Sequence, residues 1–256
     1  MPQCFKGAPA AAPKLFFFNF NLNLKLPKNA TEEEEETRST MRLASGVGEE
    51  PAIVSILPIR KVLFSLLGTR EACALRGVCE ELKQAVADFP WEDMDTVIHG
   101  SLALWRACFP RARGANVHQF DRPTAVVDAD FVHFVGLRAL NMSGCTQVTD
   151  AAFEHLKGIQ ELNMSSCNQD TITDTAFEHL KGIKELSMSA CIQATITDAA
   201  FEHLKGIQVL KMSLCEQITI TDAAFEHLKG IQELDMSYCD QDTITDTAIE
   251  HLKGIQ

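Results

Sequence analysis

Five histidines, His155, His179, His203, His227 and His251, sit in the tripeptide Glu-His-Leu at intervals of 24 residues. Imidazole is a common zinc ligand, so such a column raises the question of a metal. Each His stands alone in its copy, with no second His or Cys at ligand spacing. Glu154-His155 also lacks the second His of a zinc-peptidase helix. The column reads as a solvated or partly packed surface, and no metal is expected. Ser, His and Asp recur together as well, but identically in every copy, whereas catalysis needs one special site with perturbed groups. The chain has no G-x-S-x-G turn, no G-x-x-x-x-G-K-[ST] phosphate loop and no G-x-G-x-x-G. No catalytic residue and no cofactor are expected. Of the nine cysteines, Cys145, Cys167, Cys191, Cys215 and Cys239 share one position of the repeat, and none forms a C-x-x-C pair. An odd count without a clear signal peptide argues against a disulfide framework. The expectation is a buried ladder of reduced thiols behaving as small apolar groups, in the cytoplasm or nucleus.

The elements that position these residues follow from the repeat. Asp150, Asp174, Asp198, Asp222 and Asp246 are spaced by 24 residues, and an earlier copy begins at Asp128. Leu162 and Met164 alternate with Glu161, Asn163 and Ser165, which predicts a short strand with Leu and Met turned inward. The period then changes. Ala176, Phe177 and Leu180 predict a helix of one to two turns, with Asp174 at its N-terminus, Lys181 in its last turn and Gly182 as terminator. A single copy cannot bury both elements. Stacked copies close a core between a parallel sheet and outer helices, once about three are present. The predicted fold class is therefore an α/β solenoid with the sheet on the concave face and short helices on the convex face, over residues 105–256. Its first repeat, 105–127, is degenerate and places Ala115 and Val117 at strand positions; 24-residue repeats run from 128 on. The last copy stops at Gln256, where another strand is due. A frayed terminus, a natural truncation, or self-association through an uncapped edge at Glu233–Ser237 is expected.

Upstream the composition changes. Residues 1–50 carry an Ala/Pro run at Ala8–Pro13, an aromatic/Asn run at Phe16–Leu24 and five consecutive Glu at Glu32–Glu36. They read as a disordered low-complexity tail. A targeting segment is the alternative, because Lys6, Lys14, Lys25 and Lys28 precede any acid. The apolar run Leu15–Leu26 is broken by Asn19, Asn21 and Asn23, so no membrane span is expected. Residues 53–104 predict a helical domain. Val62, Leu63, Leu66 and Leu67 form one stripe, Ala72, Leu75, Val78, Cys79 and Leu82 a second, and Ile98, Leu102 and Trp105 a third after Pro90.

Charge and variation point to where a partner would sit. The formal net charge is −12, and residues 128–256, with 8 basic and 20 acidic side chains, hold all of the excess. That repels a phosphate backbone, so no nucleic acid partner is expected; a basic or apolar protein surface fits better. Thr171–Lys184 and its later copies differ at three of fourteen positions, whereas Glu161–Asp170 and its copies differ at five of ten. The varied positions lie where strand side chains face solvent. They give a candidate target-binding set on the concave face: Asn141, Glu161, Asn163, Glu185, Ser187, Val209, Lys211, Leu214, Glu233, Asp235 and Tyr238. Duplication followed by drift is the competing explanation. It should also have scattered changes over exposed helix positions such as Glu178 and Lys181, which are constant among the copies.

The repeat resembles the cysteine-containing subclass of leucine-rich repeats, whose L-x-x-L-x-L-x-x-C followed by I-T-D appears as Ile183, Leu186, Met188, Cys191, Ile196, Thr197, Asp198. In that subclass the repeats often follow an F-box, and residues 55–91 resemble one. The matching residues are Leu57-Pro58, Val62-Leu63, Leu66-Leu67, Val78-Cys79 and Trp91, with Leu82 where an aromatic is usual. The resemblance implies a non-catalytic adaptor, the substrate receptor of a cullin-type ubiquitin ligase. Leu57, Pro58, Val62, Leu63, Leu66, Leu67, Val78 and Leu82 would dock the ligase's small adaptor subunit, and the concave face would hold the protein target. The alternative is a stand-alone repeat scaffold whose helical segment is only a cap and which has no ubiquitin role.

Overall fold

The computed structural model describes residues 57–119 and 124–252, with side chains from residue 60. Expectations for residues 1–50, for the side chains of Leu57 and Pro58 and for the chain end at Gln256 lie outside the described residues. The chain divides into two compact units between Phe89 and Pro90.

The first unit holds three helices, α1 (Leu57–Ser65), α2 (Thr69–Leu75) and α3 (Glu80–Asp88). Phe64, Ala72, Ala85 and Val86 are buried, and the Phe64 ring meets Phe89 edge-on at 5.4 Å. The stripe expected to run from Ala72 to Leu82 is divided between α2 and α3. Gly77 is a poor helix former, and Cys79 at φ −155° and ψ 166° is extended, so the chain turns there. Glu80 and Glu81 then open α3, where acids suit the helix dipole.

The second unit begins with Trp91, which is buried against Phe109 at a ring separation of 5.8 Å. The helix α4 (Leu102–Cys108) is capped by Ser101, whose Oγ accepts the Leu104 N–H. Ile98, expected on this helix, lies before it and donates its N–H to the Asn116 carbonyl at 2.9 Å. Among the described residues, six three-residue strands then form one parallel sheet in sequence order. They are β1 (Gly114–Asn116), β2 (Ala139–Asn141), β3 (Glu161–Asn163), β4 (Glu185–Ser187), β5 (Val209–Lys211) and β6 (Glu233–Asp235). β1 lies as close to the loop at Glu92 as a glycine allows: a Cβ on Gly114 would stand 2.8 Å from the Glu92 carbonyl carbon.

Register is exact repeat on repeat, with Leu140, Leu162, Leu186, Leu210 and Leu234 opposite one another. β1 returns through a 3-10 helix at Asp128–Phe134, and β2–β6 each return through a short α-helix: α5 (Asp150–Phe153), α6 (Asp174–Glu178), α7 (Asp198–Phe201), α8 (Asp222–Phe225) and α9 (Asp246–His251). Phe153, Phe177, Phe201 and Phe225 form a buried column beneath the sheet, alongside columns of Ile, Leu and Met. Removing one such ring costs about 3–5 kcal/mol. No helix among the described residues is long and apolar enough to cross a membrane.

The Asp that opens each helix acts outside its own repeat. Thr149, Thr173, Thr197, Thr221 and Thr245 are the N-caps, each Oγ1 accepting the N–H of the second helical residue. Each Thr also donates both its N–H and its hydroxyl to the Asp of the preceding copy. Thr197 does so to Asp174 at 2.8 and 2.7 Å, and Thr221 to Asp198 at 2.7 and 2.7 Å. The same pair runs from Thr149 on Asp128 to Thr245 on Asp222. One hydroxyl thus caps its own helix and ties it to its neighbour.

These bonds have a consequence in acid. The backbone N–H and then the hydroxyl of Thr245 hold the Asp222 carboxyl below the usual carboxylate range. A depressed folded value contributes stability that is fully present above the unfolded value, near ~3.9, and is lost as pH falls through the folded one. Asp222→Asn removes that contribution. Its stability, measured by urea unfolding from pH 6 to pH 2, should therefore decline less steeply below about pH 4 than that of the wild type.

Candidate functional site

The candidate residues of the concave face come from one strand position, the position two further on, and the turn that follows. Glu161, Glu185, Val209 and Glu233 stand side by side in register, as do Asn141, Asn163, Ser187, Lys211 and Asp235. Glu161, Glu185, Lys211 and Glu233 are exposed, and Asn141, Asn163, Ser187, Val209 and Asp235 are half-buried. The column is electrostatically crowded. Partial burial, followed by the neighbouring Glu185 carboxylate, pushes the Glu161 carboxyl up, and Lys211 partly offsets this. Lys211 Nζ lies 3.8 Å from Glu233 Oε1.

Three of the variable residues also serve the backbone. Asn141 Oδ1, Asn163 Oδ1 and Asp235 Oδ1 accept the N–H of Ser143, Ser165 and Ser237, at 3.1, 3.0 and 3.0 Å. The Ser237 N–H is the main cause holding the Asp235 carboxyl low. At the same position Lys211 has no acceptor to offer, and Ser187 Oγ is paired with Ser165 Oγ. Serines add a second ladder: Ser165 Oγ meets Ser187 Oγ at 2.9 Å, and Ser213 Oγ donates to Ser189 Oγ at 3.0 Å.

The turn position was legible as variable, but not as strained. Gly144, Ser166, Ala190, Leu214 and Tyr238 all have left-handed backbone, with φ of 71°, 60°, 57°, 59° and 61°. That conformation costs an L-residue about 1–2 kcal/mol relative to glycine. It belongs to a tight turn in which the next residue's N–H returns to the Met carbonyl, as from Cys145 to Met142 and from Cys239 to Met236, and the N–H of Gly144, Ser166, Ala190 and Leu214 also reaches the carbonyl of Ser165, Ser189, Ser213 and Ser237 in the next copy. Gly144 in the first copy was the available signal. Leu214 and Tyr238 stay exposed, at 48% and 74%.

Behind the face lies the cysteine ladder. Cys145, Cys167, Cys191 and Cys215 are buried, and the thiols of Cys191 and Cys215 each donate to the Met carbonyl of the preceding copy at 3.2 Å. Burial pushes both up to about 12, so they carry no thiolate at neutral pH. The histidine column is half-buried, and His251 Nε2 lies 3.8 Å from Glu226 Oε1 of the preceding copy.

In the helical unit, Val62, Leu63, Leu66, Leu67 and Leu82 are half-buried, and Val78 is 64% exposed at the turn between α2 and α3. Trp91, the last residue of the F-box-like match, belongs to the other unit.

The stacked parallel strands, short outer helices and 24-residue register define a leucine-rich-repeat solenoid. No protein-family model matches the chain, and no curated protein matches it. Solved structures do match. A chain of the Drosophila Toll–Spatzle complex superposes with a TM-score of 0.51 at 17% identity, over 68% of this chain and 23% of that one. A Listeria monocytogenes internalin gives 0.44 at 16% identity, over 59% of this chain and 42% of that one. A chain of the yeast Rad7–Elc1 complex gives 0.46 at 19% identity, over 61% and 44%. This chain spans less than half of each.

The strained turn makes a direct prediction. Ala190→Gly should not destabilise the protein, and should raise stability by up to about 1 kcal/mol, since strain relief outweighs the added freedom of the unfolded chain. A loss larger than about 1 kcal/mol in urea unfolding would contradict a left-handed residue 190.

Proposed function

We propose that the chain is a non-catalytic adaptor that holds a protein target on its concave face and docks a cullin-type ubiquitin ligase through α1–α3. The observation that carries the first half is the contrast between a constant scaffold and an open, varied face. The inward Leu, Met, Cys and Phe columns repeat almost unchanged, while the side chains that differ among copies are concentrated on the outward positions of β2–β6 and their turns, five of ten against three of fourteen in the rest of the repeat. A solenoid used as a binding surface is built this way. The second half is supported by the F-box-like residues of 57–82. There Val78 is exposed and Leu63, Leu66, Leu67 and Leu82 are half-buried, which leaves apolar side chains for a partner helix. In this role the chain contributes proximity and orientation, and ubiquitin transfer belongs to other subunits.

The test is co-purification of the full chain with the small adaptor subunit of the ligase, for wild type and for Leu63→Ala/Val78→Asp. Val78 is exposed, so its replacement leaves the fold intact, which circular dichroism checks. A stoichiometric complex with wild type that the variant fails to form is the expected outcome. Failure of the wild type to bind removes the ligase role and leaves a repeat scaffold with a helical cap.

A further inference from the structure

We infer that the C-terminal end of the concave face recognises a basic polypeptide segment that packs a large apolar side chain against Leu214 and Tyr238. This deepens the proposal above and rests on its first half, that the concave face holds a protein.

Four large apolar side chains stand in solvent in the turns after β4, β5 and β6: Ile192 at 56%, Leu214 at 48%, Ile218 at 73% and Tyr238 at 74%. The turns are stacked directly on one another. The Ala190 N–H reaches the Ser213 carbonyl at 2.8 Å, and the Leu214 N–H reaches the Ser237 carbonyl at 2.9 Å. Adjacent parallel strands lie about 4.8 Å apart, so Leu214 and Tyr238, at one position of adjacent turns, share one patch, and Ile192 and Ile218 add apolar surface in the loops that follow. The patch is local. Where Leu214 and Tyr238 stand, the earlier copies have Gly144 and Ser166; where Ile192 stands, they have Thr146 and Asn168. Nothing in the scaffold calls for a large side chain at a left-handed turn that Gly144 fills in the first copy.

The surroundings of the patch select the sign of the partner. Carboxylates stand in the same turns, Asp235 and Asp240 on either side of Tyr238 and Glu216 two residues after Leu214, and after burial these three push the Cys239 thiol next to Tyr238 up. Glu233 and Asp242 extend the acidic rim, and the nearby cation, Lys211, is already drawn to Glu233 at 3.8 Å. The cations Arg113 and Arg138 precede β1 and β2, at the opposite end of the sheet. An apolar centre with an acidic rim attracts a cationic chain and repels phosphate, and a Tyr beside Leu is the kind of pair that dominates interface energies.

The test pans a phage-displayed library of random dodecapeptides on the immobilised full chain. Enriched peptides are then titrated calorimetrically against wild type and three variant pairs: Leu214→Gly/Tyr238→Gly, Glu216→Gln/Glu233→Gln, and the convex control Glu178→Gln/Glu202→Gln. Glycine suits the left-handed backbone at 214 and 238, so any loss there reports the side chains and not the fold. The expected peptides carry net positive charge and a Leu, Phe or Trp. They should lose affinity about tenfold or more on each concave pair, weaken with added salt and bind the control as they bind wild type. Enriched peptides without positive charge that still depend on Leu214 and Tyr238 would overturn the basic partner and leave the concave reading standing. No enrichment, or binding indifferent to both concave pairs, would overturn both.

Discussion

The solenoid depends on a threonine that serves two helices at once. Thr197 caps α7 through the Ala199 N–H and gives its own N–H and hydroxyl to Asp174, 23 residues earlier. Hydrogen bonds to an ionised acceptor are roughly twice as strong as neutral ones. Here each carboxylate takes two from one neighbour. Short helices of this kind do not hold themselves in water, since a first turn fixes several dihedrals for one hydrogen bond. A helix of four residues, such as α7, is instead held by its cap, by the Asp of the copy before it and by the buried Phe column. Stability is thereby passed from copy to copy, as in other one-dimensional repeat arrays.

With the convex side and the core committed to stacking, the strand face is left free to vary. The inward alternation of Leu and Met fixes the register, because a slip of one residue would turn every apolar side chain outward. What remains outward is a row of side chains whose identity the scaffold does not dictate at Glu185, Val209 or Lys211. At Asn141, Asn163 and Asp235 the freedom is partial, since each side chain also accepts a backbone N–H in the turn beyond it. The left-handed turn is the point where scaffold and surface demands meet. The tight turn sets the backbone, and the side chains of Leu214 and Tyr238 are presented to solvent from it.

Most of the fold could be read from the sequence because its cause is local periodicity. Leu162 and Met164 two residues apart mark a strand, and the spacing of Ala176, Phe177 and Leu180 marks a helix turn, so the parallel sheet followed from repetition alone. Three features escaped for physical reasons. The Asp-to-Thr tie spans 23 residues and leaves no periodic trace beyond the constant Thr-Asp pair, which reads locally as an acid at a helix N-terminus. The left-handed turn is hidden because Ser166, Ala190, Leu214 and Tyr238 replace the glycine that would have announced it. The stripe from Ala72 to Leu82 keeps helical spacing across Gly77, yet the extended backbone at Cys79 divides it. The variable face was legible as a set of positions, while its apolar end emerged only from exposure and stacking.

A double-mutant cycle on Asp174→Ala and Thr197→Val, followed by urea unfolding at neutral pH, tests the inter-repeat tie most directly. Thr197→Val loses both the cap and the tie, Asp174→Ala loses the tie and the acid at the N-terminus of its own helix, and the cycle isolates what they share. The account predicts a coupling of about 1.5–3 kcal/mol, the range for hydrogen bonds to a charged group. Additive losses, with no coupling beyond about 0.5 kcal/mol, would show that the Asp-to-Thr tie does not hold the copies together.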